Sequence, residues 1–281
     1  MPVRPPVLET PPRFDPVHLT EDDLEDLIGF TGLSREECLA RVRNCTLEDL
    51  ATSWRRADPK TPEEILAFYA SAAPYVWELM QWHASEARRP YWQALQTIVN
   101  RFPPHAGHTR VLDFGCGIGT DGLFLTEHGY DVTLVDVDGP AFRFAQHRFA
   151  RRGLRGRFHL ARSPLPEVDG IYDVVVCFDV FEHLPDPLEA ARRLVAALRP
   201  GGVMAQQGQF EDDGHHSCHL PDGVAKFSGL RWYIALAGLG LRNETGMVYR
   251  RTAGLQALAQ RIRWTICRAT GLWVVYVGWN R

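Results

Sequence analysis

The feature that most constrains the fold is an alternation of short apolar runs with helical stretches, which begins near residue 109. Helical patterns at about 119–128, 140–152 and 187–198 separate these runs. Such runs are typical of buried strands, and intervening helices are what parallel strands need to connect. The sequence therefore predicts a doubly wound α/β fold with a mostly parallel sheet. The first five apolar runs are RVLDF, DVTLVD, RFHLA, YDVVVCF and VMAQQG.

The end of the chain is expected to complete this sheet. The pattern predicts a helix at 228–238, a strand at 241–249 and a strand at 272–279, with a basic amphipathic helix near 254–268 between the two strands. These two closing strands bring the expected number to seven.

Residues 17–105 carry a different, helical pattern. Thr20, Ser34, Thr46 and Thr61 each precede an acidic residue by three positions, which is the arrangement of a capping box at a helix start. We expect three short helices, followed by longer ones near 62–73, 75–88 and 90–101. Residues 1–16 contain six prolines and predict a disordered leader. The expected organisation is thus leader 1–16, helical region 17–105 and α/β domain 106–281.

The second half of the helical region is rich in aromatic residues. Aromatic side chains at helical spacing usually form core contacts between helices, and that interpretation is favoured here. The alternative is that some of them line a substrate cavity beneath a helical lid. The residues are Phe68, Tyr69, Tyr75, Trp77, Trp82, Tyr91 and Trp92.

A glycine-rich turn follows the first apolar run. Val111 to Phe114 lead into Gly115, Gly117 and Gly119, after which a helix is expected to begin. Glycine allows a tight turn and a close approach of the backbone to a ligand, and a helix N-terminus directs amides at that ligand. A run of this kind suits a dinucleotide, a nucleoside or a turn without ligand.

Three aspartates narrow the choice of ligand. Asp136 ends the next apolar run, about 20 residues beyond the glycines, where a carboxylate can accept both hydroxyls of a ribose. Asp138 is better explained as a turn or helix cap. Asp113 stands two residues before the first glycine, where its charge would repel a pyrophosphate and attract a sulfonium or ammonium group. A dinucleotide-dependent oxidoreductase is therefore disfavoured.

The stretch 109–200 resembles the class I S-adenosylmethionine methyltransferases. VLDFGCGIG is similar to their first motif, VTLVD to their ribose-binding strand end, and YDVVVCFDVFEHLPDP to the fourth-strand segment of the ubiquinone/menaquinone-biosynthesis type. The resemblance implies a Rossmann-like fold and S-adenosylmethionine as cofactor. By this resemblance, the methionyl part would lie in the cradle of Gly115, Cys116, Gly117 and Gly119, with its ammonium near Asp113. The ribose would bind Asp136, and the adenine would pack on Val137. Phe178 or Asp179 would close the site.

One departure from that family pattern concerns the adenine. Members often carry an aspartate after the third strand, whereas this chain reads HLARSPLPEVDG, with Ala161 or Arg162 near the expected place. Packing and backbone groups would then hold the adenine.

Two segments supply candidate catalytic groups. Asp179, Glu182 and His183 resemble a metal-binding stretch of some quinone-biosynthesis O-methyltransferases, but a role for His183 as a general base is preferred. Residues 208–223 are the second segment, and for them a polar loop, a catalytic histidine and a transition-metal site remain open. We take His183, His216 and His219 as catalytic candidates and assign no metal. The cluster in the second segment contains Glu211, Asp212, Asp213, His215, His216, Cys218 and His219.

Composition restricts the functional class. The formal net charge is −3, which gives no argument for a nucleic-acid partner. The six cysteines form no C-x-x-C pair, no secretory signal is evident, and no apolar run reaches the roughly 18 residues that span a bilayer. A cytoplasmic protein without a membrane span is expected.

The expected reaction is methylation of a small, partly apolar metabolite, from natural-product or cofactor biosynthesis. Methylation of a protein or peptide side chain is the alternative, and a non-catalytic protein that binds S-adenosylmethionine is the alternative from another class. For the helical region 17–105 we expect a role as a lid or as the contact of a homodimer.

Overall fold

A computed structural model describes residues 19–105, 109–210 and 218–270. Within these ranges no helix combines the length and apolar composition that crossing a membrane requires. The helices are α1 (Glu21–Thr31), α2 (Arg35–Asn44), α3 (Leu47–Ala57), α4 (Pro62–Ser71), α5 (Tyr75–His83), α6 (Arg89–Arg101), α7 (Thr120–Glu127), α8 (Pro140–Arg151), α9 (Pro187–Ala197), α10 (Pro221–Phe227), α11 (Leu230–Gly238) and α12 (Gly254–Thr270). The strands are β1 (Arg110–Phe114), β2 (Asp131–Asp136), β3 (Arg157–Leu160), β4 (Tyr172–Phe178), β5 (Leu198–Gln207), β6 (Leu241–Thr245) and β7 (Val248–Arg251).

The seven strands form one sheet in the order β3-β2-β1-β4-β5-β7-β6. Strands β1 to β5 are parallel, and β7 runs antiparallel to both β5 and β6. The strand order reverses between β1 and β4, which opens a crevice at the carboxyl ends of these two strands. The prediction of a doubly wound, mostly parallel seven-stranded sheet is confirmed.

The prediction for the closing strands was wrong in its details. The stretch 241–249 is not one strand, because Gly246 adopts φ 53° and turns the chain into a hairpin of β6 and β7. A left-handed backbone of this kind suits glycine, which has no Cβ. The hairpin completes the sheet, so none of the seven strands comes from 272–279, which lies outside the described residues.

Two helical predictions also need correction. The helix expected over 75–88 ends at His83, where the Ser85 hydroxyl donates to the Trp82 carbonyl at 2.8 Å, and a 3-10 turn follows at Glu86–Arg88. Helix α10 was not predicted at all. By contrast, the capping boxes at Thr20, Ser34 and Thr61 form as expected.

The core lies on both faces of the sheet. Neighbouring residues of β1 point to opposite faces, so Val111 packs with α6 and α8 while Leu112 packs with α9 and α11. Both side chains are fully buried. This two-sided burial explains why the strands read as continuous apolar runs in the sequence.

The helical region is attached to the sheet domain through ion pairs between α1 and α8. Asp26 is fully buried, and its carboxylate accepts bonds from Arg148, Arg151 and Arg152. Asp23 adds a bond of 2.6 Å to Arg148. Because these charges neutralise one another, three arginines are accommodated at an interface that also contains apolar side chains.

Candidate active site

The glycine-rich turn forms a narrow loop at the carboxyl end of β1. Gly115, Gly117 and Gly119 adopt φ angles of 71°, 53° and 74°. The amides of Gly115 and Cys116 both donate to the Val135 carbonyl, at 2.8 and 3.2 Å, which ties the loop to β2. A Cβ on Gly115 would overlap the side chain of Val180, so this position requires glycine for its conformation and for its space.

Asp136 lies directly against this loop. Its carboxylate accepts from the Gly117 amide at 2.6 Å and from the Val137 amide at 2.7 Å. Burial raises the pKa of Asp136 to about 6, although both hydrogen bonds oppose the shift. The structure thus brings together the glycines and the carboxylate that the sequence placed in one site.

Asp113 is buried beneath the same loop. Its Oδ2 has no hydrogen-bond partner among the described residues. Burial, and after it the charges of Asp121 and Asp136, raises the pKa of Asp113 well above its usual range. Asp113, Asp121 and Asp136 lie close enough for the charges of two of them to disfavour ionisation of Asp113, so a cationic ligand beside it would favour the ionised carboxylate.

Arg88 is the residue of this site that sequence reasoning missed. The side chain is 2% exposed, and its guanidinium bonds Asp121 at 2.5 Å and lies 3.7 Å from the Asp179 carboxylate. It also lies over the Tyr91 ring, 4.4 Å from the centroid. Its Nε has no partner among the described residues. No local pattern in the sequence marks Arg88 as a site residue, because its partners are distant in the chain and the sequence contains many other arginines.

Both candidates at the end of β4 contact helix α6. Asp179 adopts φ 55°, an uncommon conformation for a residue other than glycine, and accepts from the Tyr91 hydroxyl at 2.7 Å. Burial raises the pKa of Asp179, against the effect of Arg88 and Tyr91. The Phe178 ring lies 5.1 Å from the Tyr91 ring. Tyr91 therefore connects the helical region to the fourth strand.

Helices α4 and α5 lie over the loops that follow β1 and β2. A Cβ on Gly117 would come within 2.9 Å of Leu79 of α5, and one on Gly139 within 2.8 Å of the Tyr69 carbonyl of α4. These close approaches make the helical region one wall of the crevice.

The segment after β3 supplies no carboxylate to this crevice at the place where the family pattern has one. The amide of Ala161 donates to the Asp136 carbonyl at 2.7 Å, and the Arg162 side chain is exposed. Ala161 and Arg162 therefore offer no carboxylate at this place, and an adenine held by packing and backbone groups stays a prediction.

His183 ends a 3-10 turn just beyond β4. Its Nδ1 lies 2.9 Å from the Tyr69 hydroxyl and 3.1 Å from the Cys218 carbonyl. A carbonyl can only accept, so Nδ1 carries the hydrogen and Nε2 is the basic nitrogen of the ring. The His219 ring lies 5.1 Å from the His183 ring. His216, the third candidate, lies outside the described residues.

Glu182, the residue before His183, carries a buried carboxyl group. Its Oε1 accepts from the Gln209 amide at 2.9 Å, and its Oε2 has no partner among the described residues. Burial, and then the charge of Asp179, raises the pKa of Glu182 to about 8.

The ligand atoms of Glu182, His183 and His219 lie within 4.8 Å of one another and could hold a metal ion. Asp179 is not part of this group, and its carboxylate instead accepts from Tyr91 and lies 3.7 Å from Arg88. The set of Asp179, Glu182 and His183 considered from sequence is therefore not the set that converges.

Comparison with known proteins places this arrangement in a family. A family model described as a methyltransferase domain matches residues 84–261. A ubiquinone biosynthesis O-methyltransferase from Marinobacter nauticus is 35% identical over 162 residues, which are 50% of this chain and 67% of that protein. Another of that name, from Bordetella avium, is 33% identical over 95 residues, which are 33% of this chain and 39% of that protein.

The matches to curated relatives are partial. The chain spans 25% to 67% of the length of relatives such as these. Among solved structures, the YcgJ protein from Bacillus subtilis is similar with a TM-score of 0.41 and 20% identity, over 53% of this chain and 68% of that chain.

The family match covers the glycine loop, the carboxylate after β2 and the residues at the end of β4, together with Arg88 and Tyr91 of the helical region. The chain therefore belongs to the methyltransferase domain family, as a class I S-adenosylmethionine-dependent methyltransferase with core motifs of the ubiquinone-biosynthesis type.

Proposed function

We propose that this protein transfers a methyl group from S-adenosylmethionine to a nucleophilic atom of a small, partly apolar acceptor. The observation that carries the proposal is the set of groups that meet around the loops after β1, β2 and β4. Asp136 accepts from the glycine loop, and the Tyr69 carbonyl lies against the loop after β2 while its hydroxyl bonds His183 beyond β4.

The residues of the crevice fit the donor molecule. S-adenosylmethionine combines a ribose, a positive sulfonium, an ammonium and a carboxylate. Asp136 can accept the ribose hydroxyls. The Oδ2 of Asp113 has no partner among the described residues and can accept from the ammonium, whose positive charge would favour the ionised carboxylate. The guanidinium of Arg88 suits the carboxylate. The bound donor supplies an electrophilic methyl group that needs no further activation.

The acceptor side is aromatic and basic. The Tyr69 ring lies 5.7 Å from Tyr75 and 6.1 Å from Trp54, and these rings pack against His183 and the segment around Cys218. Such a wall favours a flat or partly apolar molecule. His183 Nε2 would take the proton of an acceptor hydroxyl, while Cys218 and Tyr69 hold the ring at Nδ1.

The close approach of α4 and α5 to the loops after β1 and β2 favours a small acceptor over a protein side chain, because it leaves less open space beside these loops. A metal ion on Glu182, His183 and His219 would be an alternative means of lowering the pKa of the acceptor hydroxyl.

The first experiment is calorimetry with S-adenosylmethionine, S-adenosylhomocysteine and NADH, on wild-type protein and Asp136→Ala. Binding of both sulfur compounds, greatly weakened in the variant, is expected. Preference for NADH, or no binding of either sulfur compound, would contradict the proposal.

The second experiment follows methyl transfer from labelled donor to a panel of phenols, amines and peptides. His183→Asn should lower kcat by about 10² to 10⁴, the usual contribution of a general base, while donor binding stays unchanged. Tyr69→Phe should have a smaller effect and shift the pH profile. Activity on peptides alone would favour the alternative acceptor class, and loss of activity with a chelator would favour the metal. Binding of donor without transfer to any acceptor would favour a non-catalytic role.

A further inference from the structure

Helix α12 follows the last strand of the sheet and packs on α11 through one face. Gln260 is buried, and its Nε2 donates to the carbonyls of Ala237 at 3.0 Å and Leu241 at 2.8 Å. The indole of Trp264 donates to the Ile234 carbonyl at 3.3 Å. This face is therefore attached to the domain by both hydrogen bonds and ring packing.

The opposite face is apolar and exposed. Leu255, Leu258, Ile262 and Ile266 are 84%, 56%, 53% and 51% exposed. Their spacing of three, four and four residues aligns them in one stripe along the helix, and Ile262 stands about 200° from Gln260 around the axis. We call these four residues the α12 stripe. The other large apolar side chains exposed within the described ranges, Leu160, Ile171 and Leu230, do not extend it.

The charge of this segment differs from that of the whole chain. Residues 254–281 contain four arginines and no acidic residue, whereas the whole chain has a formal net charge of −3. The same 28 residues contain Trp264, Trp273, Tyr276 and Trp279. An exposed apolar stripe in a segment with basic and aromatic residues is the composition of helices that lie in a lipid interface.

We infer that α12 binds the protein to an anionic lipid surface, with the α12 stripe inserted at the level of the headgroups. Charge complementarity selects this occupant. In a dimer through the stripe, two segments of the same positive charge would face each other, whereas anionic headgroups attract them.

The contacts also give the direction of the helix on that surface. Gln260 bonds Ala237 and Trp264 bonds Ile234, so α12 runs antiparallel to α11. Since α11 ends where β6 begins, α12 runs toward the edge of the sheet at which β1 and β4 end. A lipid surface under α12 would thus extend toward the edge that carries the crevice.

The test is sedimentation of the full chain with vesicles of phosphatidylcholine alone and of phosphatidylcholine mixed with phosphatidylglycerol. We expect binding to the mixed vesicles that weakens as salt rises. Ile262→Glu and Leu258→Glu should abolish it. Ile171→Glu is the matched control, because Ile171 is also 53% exposed but lies outside α12. Replacing Arg261 and Arg263 with Gln should weaken binding roughly fivefold for each arginine.

Thermal unfolding and S-adenosylhomocysteine binding of each variant establish that the fold is intact, and they keep this test separate from the proposed function. Equal sedimentation of Ile262→Glu and wild type would overturn the inference, as would absence of binding to the mixed vesicles. A dimer in solution that Ile262→Glu dissociates would assign the stripe to a second copy and would also overturn it.

Discussion

At the scale of single residues, Asp136 shows how a buried carboxyl group becomes sensitive to pH near neutrality. Two backbone amides stabilise its charged form, yet burial dominates and raises its pKa from 3.8 to about 6. Because the folded-state pKa lies above the unfolded one, this group stabilises the fold below about pH 4, and that contribution is lost as the pH rises through about 6.

Ligand binding should follow the opposite course. Only the ionised carboxylate offers acceptors for both ribose hydroxyls, so the affinity for S-adenosylhomocysteine should fall as the pH drops below about 6. Calorimetry across this range should show the loss in wild type and a weak, flatter affinity in Asp136→Asn. Asp138→Asn, an exposed change two residues away, should retain the wild-type profile. An unchanged pH dependence in Asp136→Asn would assign the titration to another group.

At the scale of elements, the contact between α1 and α8 contains one fully buried carboxylate. Asp26 is fully buried and accepts hydrogen bonds from three arginines, whereas its neighbour Glu25 is 61% exposed and pairs with Arg151 among the described residues. Removing one partner of a buried ion pair leaves uncompensated charge, and an exposed pair contributes little.

Asp26→Asn, which preserves volume, should therefore lower the free energy of unfolding by about 3 kcal/mol. Glu25→Gln should leave it nearly unchanged. Denaturant unfolding of the three proteins gives the comparison directly. Equal stability of Asp26→Asn and wild type would mean that the charge of Asp26 is not needed to attach α1.

At the scale of the whole molecule, the helical region and the sheet domain share the crevice. Leu79 and Tyr69 lie against the loops after β1 and β2. Arg88 bonds a carboxylate of α7, and Tyr91 bonds the carboxylate of Asp179 directly after β4. A ligand in the crevice should therefore affect both parts of the chain.

We predict that S-adenosylhomocysteine slows amide hydrogen exchange in α4 and α5 as well as in the loops after β1 and β2. Binding stabilises the folded state and suppresses local opening of the elements around the ligand. Helix α9, on the opposite face of the sheet, is the internal control and should change little. Protection restricted to the two loops would show that the helical region does not respond to the ligand.

The sequence by itself determined the sheet domain and the cofactor motifs, because the signals for them are local. Period, turn chemistry and capping boxes depend on residues a few positions apart. The separation of about 20 residues between the glycines and Asp136 is also typical of a nucleoside-binding site. One local signal was misread: Gly246 divides 241–249 into the hairpin that completes the sheet.

Tertiary structure alone decided which distant side chains meet. Tyr69 and His183 stand 114 positions apart, and Tyr91 and Asp179 stand 88 apart, yet each pair is joined by a hydrogen bond. Aromatic residues in the helical region were compatible with core packing or with a substrate cavity, and Arg88 carried no signal. Such pairings depend on how whole helices pack on the sheet. All the buried side chains together determine that packing, so no short stretch of sequence predicts it.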